Sequence, residues 1–472
     1  MKQRPCFLCV IFLVSLLTAV MNSCVQAEKK PAPPSKSGGW KQSYNAGYTD
    51  ANGKYAGGSE IMHIAAHKGK LYAFNGYWTD GHFPKQSAQV LRLDSADGSW
   101  QVDLETNSTG FVHMKGNILK SITFKTDKRA GKIDATVLIA ASQANNVNKQ
   151  GHGAVSVFVR DDATGKWRHS LQQIGTRRKV RRVPRDIELY RDSKTGVDRV
   201  FLLVGDPGII SGVYNSATKS IEWDPKPEHP ADGSTFPARP LGITEANGRL
   251  YFSVAGKIFV RTDGDKPKWS VAYEIPGKVN TDVGGIRGLS TIANPNGPGE
   301  SIIFVWTPIG RCRGDIKRLD GVGLKETNET TLRALFDAEF KTSGANAKFS
   351  LGGYNRFFPV KDPRTEKMVH LVGFEQRINA SDEAIKWNHY YKGAMYSIRT
   401  EKQRYSTREV NGRWGPSKPV LVAPRAFANS PFKGEENVIY FGGHDANGSK
   451  STDMAWIFKA DVKTVLGYDS GR

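Results

Sequence analysis

Short runs of alternating apolar residues, each bounded by glycine, asparagine or aspartate, recur along almost the whole chain. Lys70–Asn75, Gln89–Asp94, Arg249–Val254 and Val438–Gly442 are examples. A period of two places every other side chain on the same side of an extended segment, which is typical of a half-buried β-strand. From about Trp40 onward no segment has the spacing of a convincing amphipathic helix, so we predict an all-β fold.

The turns between these runs predict antiparallel hairpins that follow one another along the chain. Asn247-Gly248 and Ala96-Asp97-Gly98 are two such turns. Ile64–Trp100 is similar to Leu241–Trp269, since each holds a small-residue strand, a hairpin, a strand that begins Leu-Tyr and a last strand near tryptophan. Units of ~40 to 60 residues have the size of a four-stranded propeller blade.

Residues 40–463 are therefore predicted to form a single β-propeller, in preference to a barrel or a two-domain sandwich, with 464–472 as a C-terminal tail. Trp40–Asp50 has no partner nearby in the sequence and would supply the outer strand of the last blade, closing the ring. Seven blades are the preferred count, with six or eight as alternatives. The predicted blades cover residues 58–105, 109–175, 180–233, 236–276, 284–340, 348–424 and 427–463.

Residues 1–27 have the pattern of an export signal. A basic start precedes the apolar run Phe7–Val20, which is too short to span a bilayer, and Val25-Gln26-Ala27 is a small-x-Ala cleavage pattern. Residues 28–39 are rich in proline, serine and lysine and predict a tether. We expect a secreted or periplasmic protein without a membrane span, and lipidation at Cys24 is the competing alternative.

The net charge of +21, from 67 Lys and Arg against 46 Asp and Glu, predicts an acidic partner. Cleavage of the signal would remove two of these cations, Lys2 and Arg4, and leave +19. Because an exported protein rarely meets nucleic acid, we expect an anionic polysaccharide or oligosaccharide as the substrate, no nucleic acid, and a monomeric chain.

Cationic and aromatic side chains stand at or before the start of the predicted inner strands. In a propeller these positions surround a central funnel, so they are the candidate site. The competing interpretation is an ion pair between blades for each arginine, and a hydrogen-bonded core position for each histidine. The candidates are His63, Arg182, Arg185, Arg239, Arg287, Tyr354, Arg356, Arg425 and His444.

Three functions fit a cationic funnel. Glycoside hydrolysis needs two carboxylates on opposite sides of the bond, and Asp186 with Asp445 is the candidate pair. β-Elimination on a uronic acid needs cations that pair with the carboxylate and stabilise the developing enolate, with a histidine or tyrosine to move the proton. A non-enzymatic propeller would bind an acidic glycan or a protein partner. Acidic residues are scarce at the strand starts, which favours elimination.

Three stretches resemble the seven-bladed β-propeller polysaccharide lyases. They are Gly58–Trp78, the Tyr-Arg-Asp run at 190–199, and Ile439–Asn447. The nearest group is the rhamnosyl-α-1,4-glucuronate lyases, with ulvan lyases as more distant relatives, and the resemblance covers most of residues 40–462. It implies a pair of histidines near the first blade with arginines from later blades, and His63 and His82, nineteen residues apart, match the family's spacing.

The resulting hypothesis assigns a role to each candidate. His63 or His82 acts as the base, and the other histidine or Tyr354 acts as the acid. No cofactor or metal is required, and a divalent cation such as Ca²⁺, ligated by His444 and Asp445, is the alternative. The substrate carboxylate would be bound by cations from several blades, and the substrate-binding candidates are Arg182, Arg185, Arg239, Arg287, Arg356 and His444.

Overall fold

The computed structural model describes most of the chain between Gly39 and Tyr468. The predicted signal peptide at 1–27 and all of the predicted tether except Gly39 lie outside the described residues. Within the described ranges no helix is long and apolar enough to cross a membrane. These ranges are 39–77, 87–109, 112–144, 154–174, 183–205, 208–230, 240–276, 284–308, 314–341, 346–379, 386–387, 390–410, 421–444 and 453–468.

Antiparallel β-strands make up almost all of this structure, which confirms the all-β prediction. Three strands, β1 (Lys41–Asn45), β2 (Tyr48–Thr49) and β3 (Tyr55–Ala56), precede the first meander. From β4 onward the strands form groups in which each strand pairs with the next. The first group is β4 (Glu60–His67), β5 (Lys70–Gly76), β6 (Gln89–Leu93) and β7 (Gln101–Glu105), followed by the 3₁₀ helix Thr106–Thr109. The second is β8 (Lys115–Thr126), β9 (Lys132–Ala144), β10 (Ala154–Asp161) and β11 (Lys166–Ile174).

The third to fifth groups repeat this order. The third is β12 (Pro184–Arg191), β13 (Asp198–Val204), β14 (Gly208–Asn215) and β15 (Ser220–Trp223), with the short β16 (His229–Pro230) beside β14. The fourth is β17 (Pro240–Ala246), β18 (Arg249–Val254), β19 (Lys257–Thr262) and β20 (Lys268–Glu274). The fifth is β21 (Gly285–Ala293), β22 (Glu300–Thr307), β23 (Asp315–Asp320) and β24 (Lys325–Thr331), followed by helix α1 (Leu332–Lys341).

The sixth group has an interrupted inner strand. The two parts, β25 (Asn346–Gly352) and β26 (Phe358–Lys361), both pair with the unbroken β27 (Met368–Asn379). The remaining strands of this group are β28 (Lys386–Trp387), β29 (Tyr390–Tyr391), β30 (Met395–Arg399) and β31 (Tyr405–Glu409).

The last group joins the two ends of the described chain. It contains β32 (Ala423–Asn429), β33 (Val438–His444) and β34 (Trp456–Asp461). Its outer strand is β1, which pairs with β34 from Lys41↔Lys459 to Asn45↔Trp456, as predicted for the N-terminal stretch. A short helix, α2 (Val462–Leu466), packs on the same core, so packed structure continues beyond residue 463.

Hydrophobic clusters lie between successive groups, and together they link the groups into a closed ring. Each of seven clusters combines buried side chains of two successive groups. The cluster that contains Ile61, Leu71, Tyr440 and Ile457 joins the last group to the first. Antiparallel sheets packed face to face around a closed ring are a β-propeller. The described strands form seven such groups, and a count of seven blades for the whole chain stays a prediction.

Helix α1 contradicts the expectation that no amphipathic helix occurs after Trp40. Leu332, Leu335, Phe336 and Phe340 project from one side of it and pack between the fifth and sixth groups. Their spacing of three and four residues is the helical period. The pattern is therefore present in the sequence, but it lasts for only ten residues.

Buried arginines join neighbouring groups away from the inner strands. Arg261 of β19 has a side chain that is 2% exposed, and it contacts Asp192 and Glu228 of the third group as well as Asp263 of its own. Trp269 Nε1 donates to Glu228 Oε1 at 2.9 Å. We call Arg261 and its three carboxylates the Arg261 cluster. The equivalent pairs elsewhere are Arg160 with Asp103 and Arg399 with Glu329.

Candidate functional site

A cavity of about 310 Å³ lies where the inner strands of all the groups come together. Its apolar wall includes Leu241, Leu289 and Phe427, and its other wall is polar and charged. Because every group contributes to the lining, the cavity lies on the axis of the ring. One lining residue from each group, in chain order, is His63, Lys120, Asp186, Gly242, Leu289, Arg356 and Ala426.

Every inner strand departs from regular pairing near this cavity. In β4 the register shifts between Ile61 and His63, which makes Met62 an extra residue, and in β32 Arg425 is extra in the same way. A β-bulge leaves backbone groups unpaired and redirects side chains, and bulges are frequent beside functional sites. The corresponding extra residues of β8 and β17 are Asn117 and Leu241, and in β12 and β21 the pairs Arg185–Asp186 and Gly288–Leu289 each oppose a single residue of the partner strand.

The largest departure is in the sixth group, between β25 and β26. There Gly353–Phe357, which we call the axial segment, leaves the sheet and enters the centre of the ring. Gly353 and Gly288 have φ angles of +61° and +62° and lie in contact, and a Cβ on Gly288 would stand 2.9 Å from the carbonyl oxygen of Asn355. Glycine at 288 is therefore required both for its left-handed backbone and for the close approach of the axial segment.

Arg356 extends from the axial segment to the third and fourth groups. Its Nη2 lies 3.2 Å from Asp186 Oδ2 and donates to the carbonyl oxygen of Ile243 at 2.5 Å, and its Nη1 pairs with Glu188. Lys120 Nζ lies 3.3 Å from Glu188 Oε2. We call Arg356, Asp186, Glu188 and Lys120 the Arg356 cluster. Their side chains are between 14% and 31% exposed, so they remain open to the cavity.

Among the described residues, cations and carboxylates lie side by side at the cavity. Lys120, Arg185 and Arg356 are three cations, and Asp186 and Glu188 are two carboxylates. Burial opposes the ionisation of Glu188, but Arg356 and Lys120 outweigh it and lower its pKa. Burial, helped by Arg356, lowers the pKa of Lys120. The described side of the cavity therefore holds cations that are paired with the ionised Glu188.

His63 is a neutral base in the same cavity. Its Nε2 lies 2.5 Å from the carbonyl oxygen of Asn117, the extra residue of β8. A carbonyl oxygen only accepts, so Nε2 carries the hydrogen and Nδ1 of the neutral ring carries none. Burial lowers the pKa of His63 to about 4, although the hydrogen bond to Asn117 and the charge of Asp186 oppose this. At neutral pH Nδ1 is available to accept a proton.

Tyr354 belongs to a second cluster of charged side chains. Its hydroxyl donates to Glu375 Oε2 at 2.6 Å, and Cζ of Arg425 lies 4.0 Å from the centre of its ring. Arg425 Nη1 lies 2.9 Å from Glu60 Oε2, and its Nη2 lies 3.1 Å from His444 Nε2. We call Tyr354, Glu375, Arg425, Glu60 and His444 the Tyr354 cluster.

The Tyr354 cluster holds a fixed set of protonation states at neutral pH. Burial, together with the charge of Glu375, raises the pKa of Tyr354 well above its usual value. Burial opposes the ionisation of Glu375, but His444, Arg425 and Tyr354 hold its pKa at about 2. Burial and the neighbouring Arg425 lower the pKa of His444. The phenol therefore keeps its proton, the carboxyl group is ionised, and the imidazole is neutral.

The structure brings some of the predicted site residues together and separates others from the cavity. Arg287 is buried, with Cζ 5.9 Å from the centre of the Tyr354 ring, and His444 is buried inside the Tyr354 cluster. Arg356 lines the cavity and also joins two groups by ion pairs, so both interpretations of that arginine hold. The predicted residues that line the cavity are His63, Arg185, Tyr354 and Arg356. Those outside the described residues are His82, Arg182, Arg239 and Asp445.

Lys120, Glu375 and Asn355 are among the site residues that were missing from the sequence candidates. Lys120 and Glu375 stand in strands that hold other polar and charged residues, Lys115–Thr126 and Met368–Asn379, so no local contrast marks them. Asn355 stands between two candidates, Tyr354 and Arg356, but nothing in its own neighbourhood marks it.

Among the described residues no group of three histidine, cysteine, aspartate or glutamate side chains is arranged to hold a metal ion. The proposed ligand His444 instead contacts Arg425 and lies 3.5 Å from Glu375. A guanidinium at this distance occupies the place beside the imidazole that a cation would take. The described part of the Ca²⁺ alternative therefore does not fit this site.

No protein-family model matches the chain, and no curated protein sequence matches it. Among solved structures, it is similar to a protein of unknown function from Dyadobacter fermentans, with 10% identity, a TM-score of 0.42, and coverage of 89% of this chain and 99% of that one. A GH93 α-L-arabinofuranosidase of Fusarium graminearum has 6% identity and a TM-score of 0.39 over 90% and 98%. A Trypanosoma rangeli sialidase has 12% identity and a TM-score of 0.37 over 75% and 58%. At these values the function has to be argued from the site.

Proposed function

We propose that the protein is an exported lyase that cleaves a glycosidic bond to a uronic acid by β-elimination, with a rhamnosyl-glucuronate unit as the preferred substrate. The observation that carries the proposal is the placement of His63 in one cavity with the cations Lys120, Arg185 and Arg356. Elimination needs both features, because a base must take a proton from a carbon whose acidity depends on neutralising the adjacent carboxylate.

The cationic wall supplies the neutralisation. Arg185 and Lys120 line the cavity together with Arg356, and a substrate carboxylate would contact these cations. Pairing with these cations stabilises the negative charge that moves onto the carboxylate as the proton leaves. The predicted arginines at 182 and 239 would add to this wall.

His63 then moves the proton. Nδ1 takes the proton from C5 of the uronate, the electrons of that C–H bond form the C4=C5 double bond, and the bond from C4 to the glycosidic oxygen breaks. The leaving oxygen takes a proton from an acid, for which Tyr354 and His82 are the candidates. Tyr354 keeps its proton at neutral pH, as an acid must, and Glu375 accepts its hydrogen bond in the resting state.

The carboxylates of the site fit hydrolysis less well. A glycoside hydrolase needs a carboxylic acid that stays protonated, which requires a raised pKa. The pKa values of Glu188, Glu375 and Glu60 are all lowered, in each case because neighbouring cations outweigh burial. The carboxyl groups that pair with these cations therefore favour an ionised state over the role of general acid.

The test is incubation of the purified protein with gum arabic, ulvan and defined glucuronate oligosaccharides. A lyase produces ultraviolet absorbance from the C4=C5 double bond conjugated with the carboxylate, in step with new chain ends. New reducing ends without this absorbance would indicate a hydrolase. Salt-sensitive binding with no product would indicate a non-enzymatic glycan-binding propeller.

A further inference from the structure

Carbonyl groups in and beside the bulges near the cavity are bonded by side chains of the site itself. Lys120 Nζ donates to the carbonyl oxygen of Ile187 at 2.9 Å, and His63 bonds that of Asn117. A buried carbonyl without a partner is costly, so each bulge needs such a donor. These hydrogen bonds therefore stabilise the irregular shape of the inner strands, and they also fix the positions of the donor side chains.

Asn355 donates hydrogen bonds to two of these bulges. Its Nδ2 donates to the carbonyl oxygen of Met62 at 2.8 Å and to that of Arg425 at 2.6 Å. Met62 and Arg425 are the extra residues of β4 and β32, in the first and last groups. One amide group, with both of its N–H donors in use, thus connects three groups at the axis.

The position of Asn355 relates these contacts to the proposed chemistry, on which this inference rests. Met62 directly precedes His63, and the backbone of Asn355 directly follows Tyr354. Arg425 lies against the Tyr354 ring and the Glu60 carboxylate. The base, the candidate acid and the cation beside the acid are therefore joined through this side chain, although they belong to three different groups.

We propose that Asn355 is a positioning residue that fixes His63 relative to Tyr354. It contacts no reacting atom in this assignment, and it acts by anchoring the two bulges that orient the base strand and Arg425. Loss of its amide leaves the carbonyl oxygens of Met62 and Arg425 without these donors, and the bulges relax toward water. Small errors in the placement of catalytic groups lower turnover strongly.

The experiment compares Asn355→Ala and Asn355→Gln with a matched control, Asn247→Ala. Asn247 also joins two groups through its amide, with Nδ2 3.0 Å from the carbonyl oxygen of Glu300, but it lies in the hairpin between β17 and β18, away from the cavity. On a glucuronate oligosaccharide we expect Asn355→Ala to lower kcat at least tenfold while KM changes less than threefold. Asn355→Gln should recover part of kcat, and Asn247→Ala should keep both constants.

A second measurement does not depend on turnover. The His63 imidazole is titrated by NMR, with the resonance assigned by its loss in His63→Gln. The charged groups that face it are Asp186, Lys120 and Arg425. In the unsubstituted protein its pKa is expected at about 4. Asn355→Ala should raise this pKa toward the ordinary value by admitting water, whereas Asn247→Ala should leave it unchanged.

The two measurements separate this inference from the proposed function. Absence of elimination in the unsubstituted protein, with a raised His63 pKa in Asn355→Ala alone, would refute the lyase and support the positioning role. A His63 titration that is the same in Asn355→Ala and in the unsubstituted protein would overturn the positioning role, whatever the activity. An equal shift of the titration in Asn247→Ala would also overturn it.

Discussion

The Arg261 cluster and the Arg356 cluster are both built around an arginine that joins neighbouring groups, yet their charge balances differ. Arg261 faces three carboxylates, and its side chain is 2% exposed. Arg356 faces two carboxylates beside a second cation, Lys120, and its side chain is 29% exposed. The first cluster is closed and has a surplus of carboxylates, whereas the second is open and has two cations for two carboxylates.

This difference separates structural arginines from functional ones better than ion pairing does. In the Arg261 cluster the surplus carboxylate oxygens accept hydrogen bonds from Trp269, Tyr190 and the backbone nitrogen of Ser193. Every charge there has a partner inside the protein. At the axis, the cations of the Arg356 cluster are partly exposed and face a cavity, where an incoming anion would contact them, and this is a property of a binding site.

The largest effect is expected at the axis, in turnover. His63→Gln removes the proposed base and should lower kcat about 10³-fold, within the range of general base catalysis. The matched control is His67→Gln in the same strand, because His67 bonds Ser121 and Asp162 and does not line the cavity. Turnover measured by ultraviolet absorbance, with circular dichroism to check folding, tests the pair. Equal loss in both variants would remove His63 from the mechanism.

The next effect is expected in stability, away from the axis. Arg261→Met leaves three carboxylates of one buried cluster without their cation, and should lower the free energy of unfolding by about 3–5 kcal/mol. Urea denaturation measures this loss. KM and kcat should stay as they are at temperatures where the variant is folded. A change in KM without a loss of stability would contradict the assignment of the Arg261 cluster to stability and of the Arg356 cluster to binding.

The smallest effect is expected in the pH dependence of stability, because buried histidines and buried arginine–carboxylate pairs lose their contributions at different pH values. Burial lowers the pKa of His63, His113 and His370 to about 4. The unfolded chain binds protons at these histidines below about pH 6.5, whereas the folded chain does so only near pH 4, so their contribution is complete above pH 6.5 and is lost as the pH falls toward 4. At pH 5.5 each of these buried histidines should lower the free energy of unfolding by about 1 kcal/mol relative to pH 7.5.

Buried arginine–carboxylate pairs respond at lower pH. Despite burial, hydrogen bonds to Lys68, His67 and Arg160 lower the pKa of Asp162 to about 2, so its stabilisation is lost only below about pH 4. Melting temperatures measured from pH 7.5 to 3 should therefore fall in two steps. Removal of the first step in His63→Gln would be partial, since other buried histidines remain, among them His113 and His370. A flat curve between pH 7.5 and 5 would contradict the burial of these imidazoles.

Much of the fold could be predicted because strand alternation and hairpin turns are local. The pairing of β1 with β34 was also predictable, since an alternating N-terminal stretch without a neighbour needs a distant partner. The bulges were not, because an extra residue such as Met62 becomes visible only when the register of both strands is known. Helix α1 was missed because ten residues of helical spacing are easily taken for another strand.

The residue types of the site could be predicted from the sequence, but the hydrogen bonds that connect distant residues could not. His63, Arg185, Tyr354 and Arg356 could be chosen from their positions at strand starts, and they do line the cavity. The bond from Asn355 to Met62 joins residues 293 positions apart. Such contacts depend on closure of the ring, which no local pattern encodes.

The strand β1 finds its partner only when β34 has been made. The seam from Lys41↔Lys459 to Asn45↔Trp456 thus forms late in the synthesis of the chain. Contacts between such distant positions are slow to form. A chain that stops before Trp456 would retain most of its sheets but would expose two unpaired edges, which are templates for aggregation. The seam consequently leaves both edges unpaired until the chain has been made as far as Lys459.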